Sequence, residues 1–89
     1  MFHIVGDFEG ETFYWKDCGN RCADMSAFFL EKGKNELCSF HPFVFGTDKK
    51  EWAETCLKRI YTDSNHFITK STGEMVVGQI PENLRIVEE

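Results

Sequence analysis

The pattern that most constrains this fold is a helical stripe near the middle of the chain, with strand-like segments on both sides of it. Its apolar members recur at spacings of three and four residues: Trp52, Ala53, Cys56, Leu57, Ile60 and Tyr61. This spacing places them on one side of a helix, where they can pack against a core. Asp48 and Glu51 have the spacing of a capping-box variant, with Thr47 as a competing cap. We therefore predict a helix that begins in this segment.

Runs rich in β-branched and aromatic residues predict strands before and after this helix. The predicted strands are residues 1–5, 12–16, 66–70, 74–80 and 84–87. The first two are separated by an acidic loop with two glycines, residues 6–11, which is typical of a hairpin. The turn at residues 71–73 indicates a second hairpin. In the second strand Phe13 and Trp15 share one face, as expected of a half-buried strand.

Two further segments lie between the first hairpin and the central helix. In the first segment four apolar residues recur at helical spacing: Cys22, Met25, Phe28 and Phe29. Gly33 follows as a helix-terminating residue, so we predict a helix over residues 21–32. Residues 37–45 are apolar on both faces, which predicts a strand bent at Pro42.

Together these elements have the order ββαβαβββ. The chain of 89 residues has room for one domain, which we expect to span residues 1–89. Strands at both ends with two helices between them predict an α+β fold. The expected architecture is a two-layer sandwich, in which a mostly antiparallel sheet carries both helices on one face.

The charge and the missing motifs argue against several classes of function. Fifteen acidic and ten basic side chains leave a net charge of -5, which argues against direct binding to nucleic-acid phosphates as the main activity. No apolar run approaches the roughly 20 residues that span a bilayer, and no glycine-rich phosphate loop occurs. No secretory signal is visible, so we expect a soluble cytoplasmic protein with reduced thiols and no membrane partner.

The cysteines permit one hypothesis of a metal site. Cys18 and Cys22 form one close pair, and Cys38 and His41 form another. Zinc is commonly bound by four such side chains from two short pairs. Residues three apart in a strand point to opposite faces, so Cys38 and His41 would converge only at a bulge near Pro42. We therefore favour core roles for Cys22 and Cys38 and no cofactor, with a zinc-stabilised binding module as the alternative.

Cys18 by itself suggests a second alternative, a thiol-dependent enzyme or redox protein. It precedes the predicted helix of residues 21–32 and lies three residues from Arg21, and both features would stabilise a thiolate. The chain has no C-x-x-C pair, and the sixth residue after Cys18 is Asp24 rather than the arginine of a phosphatase-type loop. The sequence therefore favours a protein that is not an enzyme.

The first hairpin carries the predicted binding surface. Its residues are Asp7, Phe8, Glu9, Glu11 and Tyr14. Exposed aromatic residues beside charges are typical anchors at protein interfaces, and the acids would form a rim facing a basic partner. We predict a small binding protein, an inhibitor or regulatory adaptor of the kind that phages and mobile elements encode, which sterically occludes a protein partner. An uncovered sheet face would also be compatible with a homodimer.

Overall fold

Six strands form one mixed sheet with a helix on one face, in the parts of the chain that the computed structural model describes, residues 1–17, 25–30, 46–62 and 65–89. The elements are β1 (Phe2–Phe8), β2 (Glu11–Asp17), β3 (Met25–Phe29), α1 (Lys50–Ile60), β4 (Asn65–Thr69), β5 (Met75–Val77) and β6 (Glu82–Glu88). The strand order across the sheet is β5-β4-β3-β2-β1-β6. The strands β5 and β6 are therefore the two edges.

Neighbouring strands are antiparallel except for β3 and β4, which are parallel. A parallel pair requires a crossover connection rather than a tight turn, and α1 lies in the chain between these two strands. The α+β class is thus confirmed, but the sheet is mixed. The prediction of two helices on one face is matched in part, because the described residues contain one helix.

Helix α1 packs against the sheet through the predicted apolar stripe. The buried core consists of Ile4, Phe13, Trp15, Phe28 and Ile68 from the strands and Ala53, Cys56 and Ile60 from the helix. Tyr61 belongs to the stripe by spacing, but it is the C-cap of α1 and is exposed. The predicted capping box is wrong, since Lys49 is the N-cap and makes no side-chain cap bond. Thr47 Oγ1 instead accepts a hydrogen bond from the Lys49 N–H at 3.1 Å.

Both predicted hairpins and the final strand are confirmed. The β1–β2 connection is shorter than predicted, because Phe8 pairs with Glu11 and leaves a turn of Glu9 and Gly10. Both turn residues have positive φ, 51° and 80°, as a tight hairpin turn requires when its twist matches that of the strands. The second hairpin pairs β4 with β5, but β5 is limited to Met75–Val77 and is shorter than the predicted strand 74–80. The β6 strand contains the predicted strand 84–87 and begins at Glu82.

The predicted helix over residues 21–32 is wrong where the structure describes it, because Met25–Phe29 is strand β3. The β3 strand lies between β2 and β4, with Phe28 in register with Trp15 and Ile68. Ala27 and Phe28 are both buried although they face opposite sides of the sheet. A central strand with apolar residues on both faces shows no alternation, so its sequence can imitate helical spacing. The predicted strand 37–45 lies outside the described residues.

Candidate protein-binding surface

Asp7, predicted at the rim of the binding surface, is held by neighbouring side chains. Its carboxylate accepts hydrogen bonds from Thr12 Oγ1 at 3.0 Å, from Asn83 Nδ2 at 3.3 Å and from Arg85 Nη1 at 3.2 Å. The bonds from Asn83 and Thr12, followed by the Arg85 guanidinium, lower the pKa of Asp7 below its ordinary value. These contacts join β1 to β2 and β6. Asp7 therefore has a structural role in the sheet.

The two aromatic residues of the predicted surface lie on opposite faces of the sheet. Phe8 is half-buried beside the core and meets Phe13 edge to face, with ring centroids 6.3 Å apart. Tyr14 is also half-buried, packs edge to face on His3, and donates a hydrogen bond from its hydroxyl to Glu89 Oε2 at 2.8 Å. Side chains alternate along β1 and β2, so these two rings cannot form one continuous anchor.

The two glutamates of the predicted surface are exposed. Glu9, in the β1–β2 turn, forms an ion pair with Lys70 at 2.9 Å. Lys70 also pairs with Glu74 at 3.3 Å, and these two carboxylates raise the pKa of Lys70. We name Glu9, Lys70 and Glu74 the acidic corner, because its formal charge is negative. It connects the first hairpin to the turn that precedes β5.

The sequence predicts a strand over residues 74–80 but no binding edge there. The observed strand, β5, has an open outer edge. Lys70 N–H donates to Glu74 C=O at 2.8 Å, and Gly78 N–H donates to His66 C=O at 3.0 Å. Hydrogen-bonded pairs alternate along an antiparallel ladder. The N–H and C=O groups of Met75 and Val77 therefore point away from β4, and they form no hydrogen bond within the described chain.

Met75 and Val77 also expose their apolar side chains. They are 53% and 63% exposed, and since they lie two residues apart, their side chains share one face of the sheet. Val76 between them points the other way and packs beside the core. The edge of β5 thus combines open backbone groups with apolar side chains, which is the combination that recruits a further strand.

The opposite edge of the sheet is protected against such pairing. The β6 strand carries exposed charges at Glu82 and Glu88, and Asn83 has a positive φ of 54°. A register shift between Val5 and Asp7 interrupts its pairing with β1. Charges and bulges are the usual means of blocking an edge. The two edges therefore differ in their side chains, which are apolar and exposed at Met75 and Val77 on β5 and charged at both ends of β6.

A surface pocket of about 540 Å³ lies beside the start of α1. The described residues that line it are Met1, Gly46, Thr47, Asp48, Lys49 and Trp52. They include the exposed carboxylate of Asp48 and the exposed ammonium group of Lys49, and no thiol or imidazole.

The described residues contain no cluster of three or more side chains suited to a metal ion. The predicted zinc ligands Cys18, Cys22, Cys38 and His41 all lie outside them, so both the zinc hypothesis and the reactive-thiol hypothesis stay predictions. Cys56 is a buried thiol in α1. It packs in the core as a small apolar side chain.

Comparisons with protein-family models, with curated proteins and with solved structures give no match. Within the described part of the chain, no helix has the length and apolar character needed to cross a membrane.

Proposed function

We propose that this chain is a non-enzymatic protein-binding module that docks through the outer edge of β5. The observation that carries the proposal is the coincidence of open backbone groups and exposed apolar side chains at Met75 and Val77. Backbone pairing supplies affinity in strand addition, and the alternate side chains supply specificity. The protected edge of β6 supports the choice of β5.

The acidic corner makes one end of the docking surface negatively charged. Glu9 and Glu74 outnumber the one cation between them, Lys70, and the whole chain carries a net charge of -5. A basic partner would be attracted by this charge. An inhibitor or regulatory adaptor that adds its edge to such a partner would act by steric occlusion, as the sequence predicts.

Site-specific photo-crosslinking tests this function. Val77 is replaced by p-benzoylphenylalanine in one variant and Tyr61 in another. Tyr61 is a matched control, because it is 61% exposed at the end of α1. We expect the probe at position 77 to cross-link to a protein, either a second copy or another polypeptide, and the probe at position 61 not to do so.

The captured protein is then purified, and its binding to the wild-type chain is measured by calorimetry. Val77→Lys should weaken this binding at least about tenfold, whereas Tyr61→Lys should leave it unchanged. Equal cross-linking at both positions, or binding that is insensitive to Val77→Lys in a folded variant, would show that β5 is not the docking edge.

A further inference from the structure

We propose that the occupant of the β5 edge is a second copy of this chain, paired antiparallel about a twofold axis that passes between the two Val76 residues. The inference rests on the proposed function and adds a second occupant of the same edge, which competes there with the basic partner. The resulting dimer is one continuous sheet in which both β5 strands are internal.

The backbone of β5 is complementary to itself in this register. Met75 of one copy lies opposite Val77 of the other, and these are the two residues whose N–H and C=O groups point outward. Each such pair exchanges two hydrogen bonds. The twofold axis repeats the pair, so every outward backbone group of Met75 and Val77 gains a partner.

Other registers satisfy fewer of these groups. An axis through Met75 places Val77 opposite Gly73, whose N–H is already donated to Lys70 C=O in the turn. An axis through Val77 places Met75 opposite Gln79, which lies beyond the end of β5. The register about Val76 is therefore the one that the backbone favours.

The side chains are compatible with the same register. Met75 lies beside Val77 of the second copy on one sheet face, so two exposed apolar side chains cover each other. Glu74 lies opposite Gly78 rather than opposite another glutamate, which avoids a like-charge pair across the interface. A Cβ built on Gly78 would meet nothing within 4 Å, so the space beside this residue is open.

The small interface and the like charge of the two copies predict a low affinity. A three-residue edge buries much less than the roughly 800 Å² per partner of a standard interface, and both copies carry a net charge of -5. We expect a reversible dimer with a dissociation constant on the order of 100 µM, which strengthens when added salt screens the repulsion. Since the dimer covers β5, dimerisation and binding of another protein through this edge exclude each other.

Sedimentation velocity over a range of protein concentrations tests the dimer. The wild-type chain should change from monomer to dimer as its concentration rises. Val77→Lys should raise the dissociation constant at least about tenfold, and Tyr61→Lys should leave it unchanged. Val77→Pro is a second variant. It removes the N–H of residue 77, which points outward, and it removes no hydrogen bond between β4 and β5. Circular dichroism confirms that each variant is folded, and Met75→Lys replaces any variant that is not.

Disulfide trapping tests the register. A mixture of Met75→Cys and Val77→Cys chains is oxidised, and the linked peptides are identified by mass spectrometry. We expect the disulfide between positions 75 and 77 to form in the mixture faster than the symmetric disulfides form in either variant alone, because only the mixed pair lies directly opposite in this register.

The outcomes separate this inference from the proposed function. A wild-type chain that stays monomeric at every concentration overturns the inference, as does a dimer that Val77→Lys and Val77→Pro leave intact. If the chain is monomeric but the probe at position 77 cross-links to a different protein, the proposed function stands without the dimer. If the chain is monomeric and the probe at position 77 captures nothing, both are overturned.

Discussion

Gly46 is constrained by a single neighbour, the imidazole of His3. Its φ of +98° is a conformation that side chains rarely adopt. A Cβ at this position would lie 2.6 Å from His3 Cε1. The His3 ring has little room to yield, because the residue is 6% exposed and packs edge to face on Tyr14. Backbone bonds between Phe2 and Thr47, at 2.6 and 3.0 Å, hold the two segments together.

We expect Gly46→Ala to lower the free energy of unfolding by about 2–4 kcal/mol, combining backbone strain with overpacking. Gly73→Ala is a matched control, since Gly73 has a φ of +88° but no atom within 4 Å of a built Cβ. It should cost about 1 kcal/mol, from the backbone alone. Urea denaturation measures both. Equal losses in the two variants would contradict a steric role for His3.

At the scale of elements, α1 owes its position to three buried side chains. Ala53, Cys56 and Ile60 are fully buried against the sheet, while Glu54 on the same helix is exposed. A short helix is marginal in isolation, so this packing supplies most of its stability. The N-cap makes no side-chain hydrogen bond, which increases the dependence on the core.

Ile60→Ala should therefore destabilise the protein by about 2–5 kcal/mol, as expected for a large-to-small change in a core. Glu54→Ala should change stability by less than about 0.5 kcal/mol, because it lies on the solvent side. Urea titrations followed by circular dichroism measure both values. A small effect of Ile60→Ala would mean that the helix is not anchored at this end.

The elements also show which patterns can be interpreted without the tertiary structure. The stripe in α1 and the glycines of the loop 6–11 are local signals, and they predicted a helix and a hairpin correctly, although the hairpin turn is limited to Glu9 and Gly10. The segment around β3 misled the prediction because Phe28 and Ala27 are buried on opposite faces, a result of its place between β2 and β4. The β5 edge was missed because a strand's position in the sheet depends on its neighbours.

At the scale of the whole molecule, Asp7 links residues from both ends of the chain. Asn83 and Arg85 on β6 bond to its carboxylate, and Thr12 on β2 does so as well. These bonds lower the pKa of Asp7 below its ordinary 3.8. A carboxyl whose pKa is lower in the folded state stabilises the fold above its unfolded pKa. That contribution is lost as the pH falls through the folded pKa.

We expect Asp7→Asn to be less stable than the wild type at neutral pH and to lose less stability on acidification below about pH 4. The two curves of unfolding free energy against pH should converge in acid. Glu11→Gln controls for the loss of one negative charge on the same hairpin. Urea denaturation across this pH range measures the unfolding free energy of each variant. If the unfolding free energy of Glu11→Gln depended on pH as weakly as that of Asp7→Asn, the role assigned to the Asp7 contacts would be contradicted.

The candidate surface was predicted only in part. The acidic residues of the first hairpin were identified from the sequence, and Glu9 does lie in the acidic corner beside β5. The sequence predicts Phe8 and Tyr14 as aromatic anchors of one surface, but they lie on opposite faces of the sheet. Their environment depends on register and on β6, which returns from the far end of the chain to pair with β1.

The amino-acid sequence by itself determined the local elements of this protein, because hydrophobic spacing and turn residues act over a few neighbours along the chain. It also determined the acidic charge and the α+β class. Only the tertiary structure decided that residues 25–29 form a central strand, that β3 and β4 are parallel, and that β5 is an open edge. These features arise from contacts between residues far apart in sequence, and burial on both faces of a strand removes the alternation by which a strand is recognised.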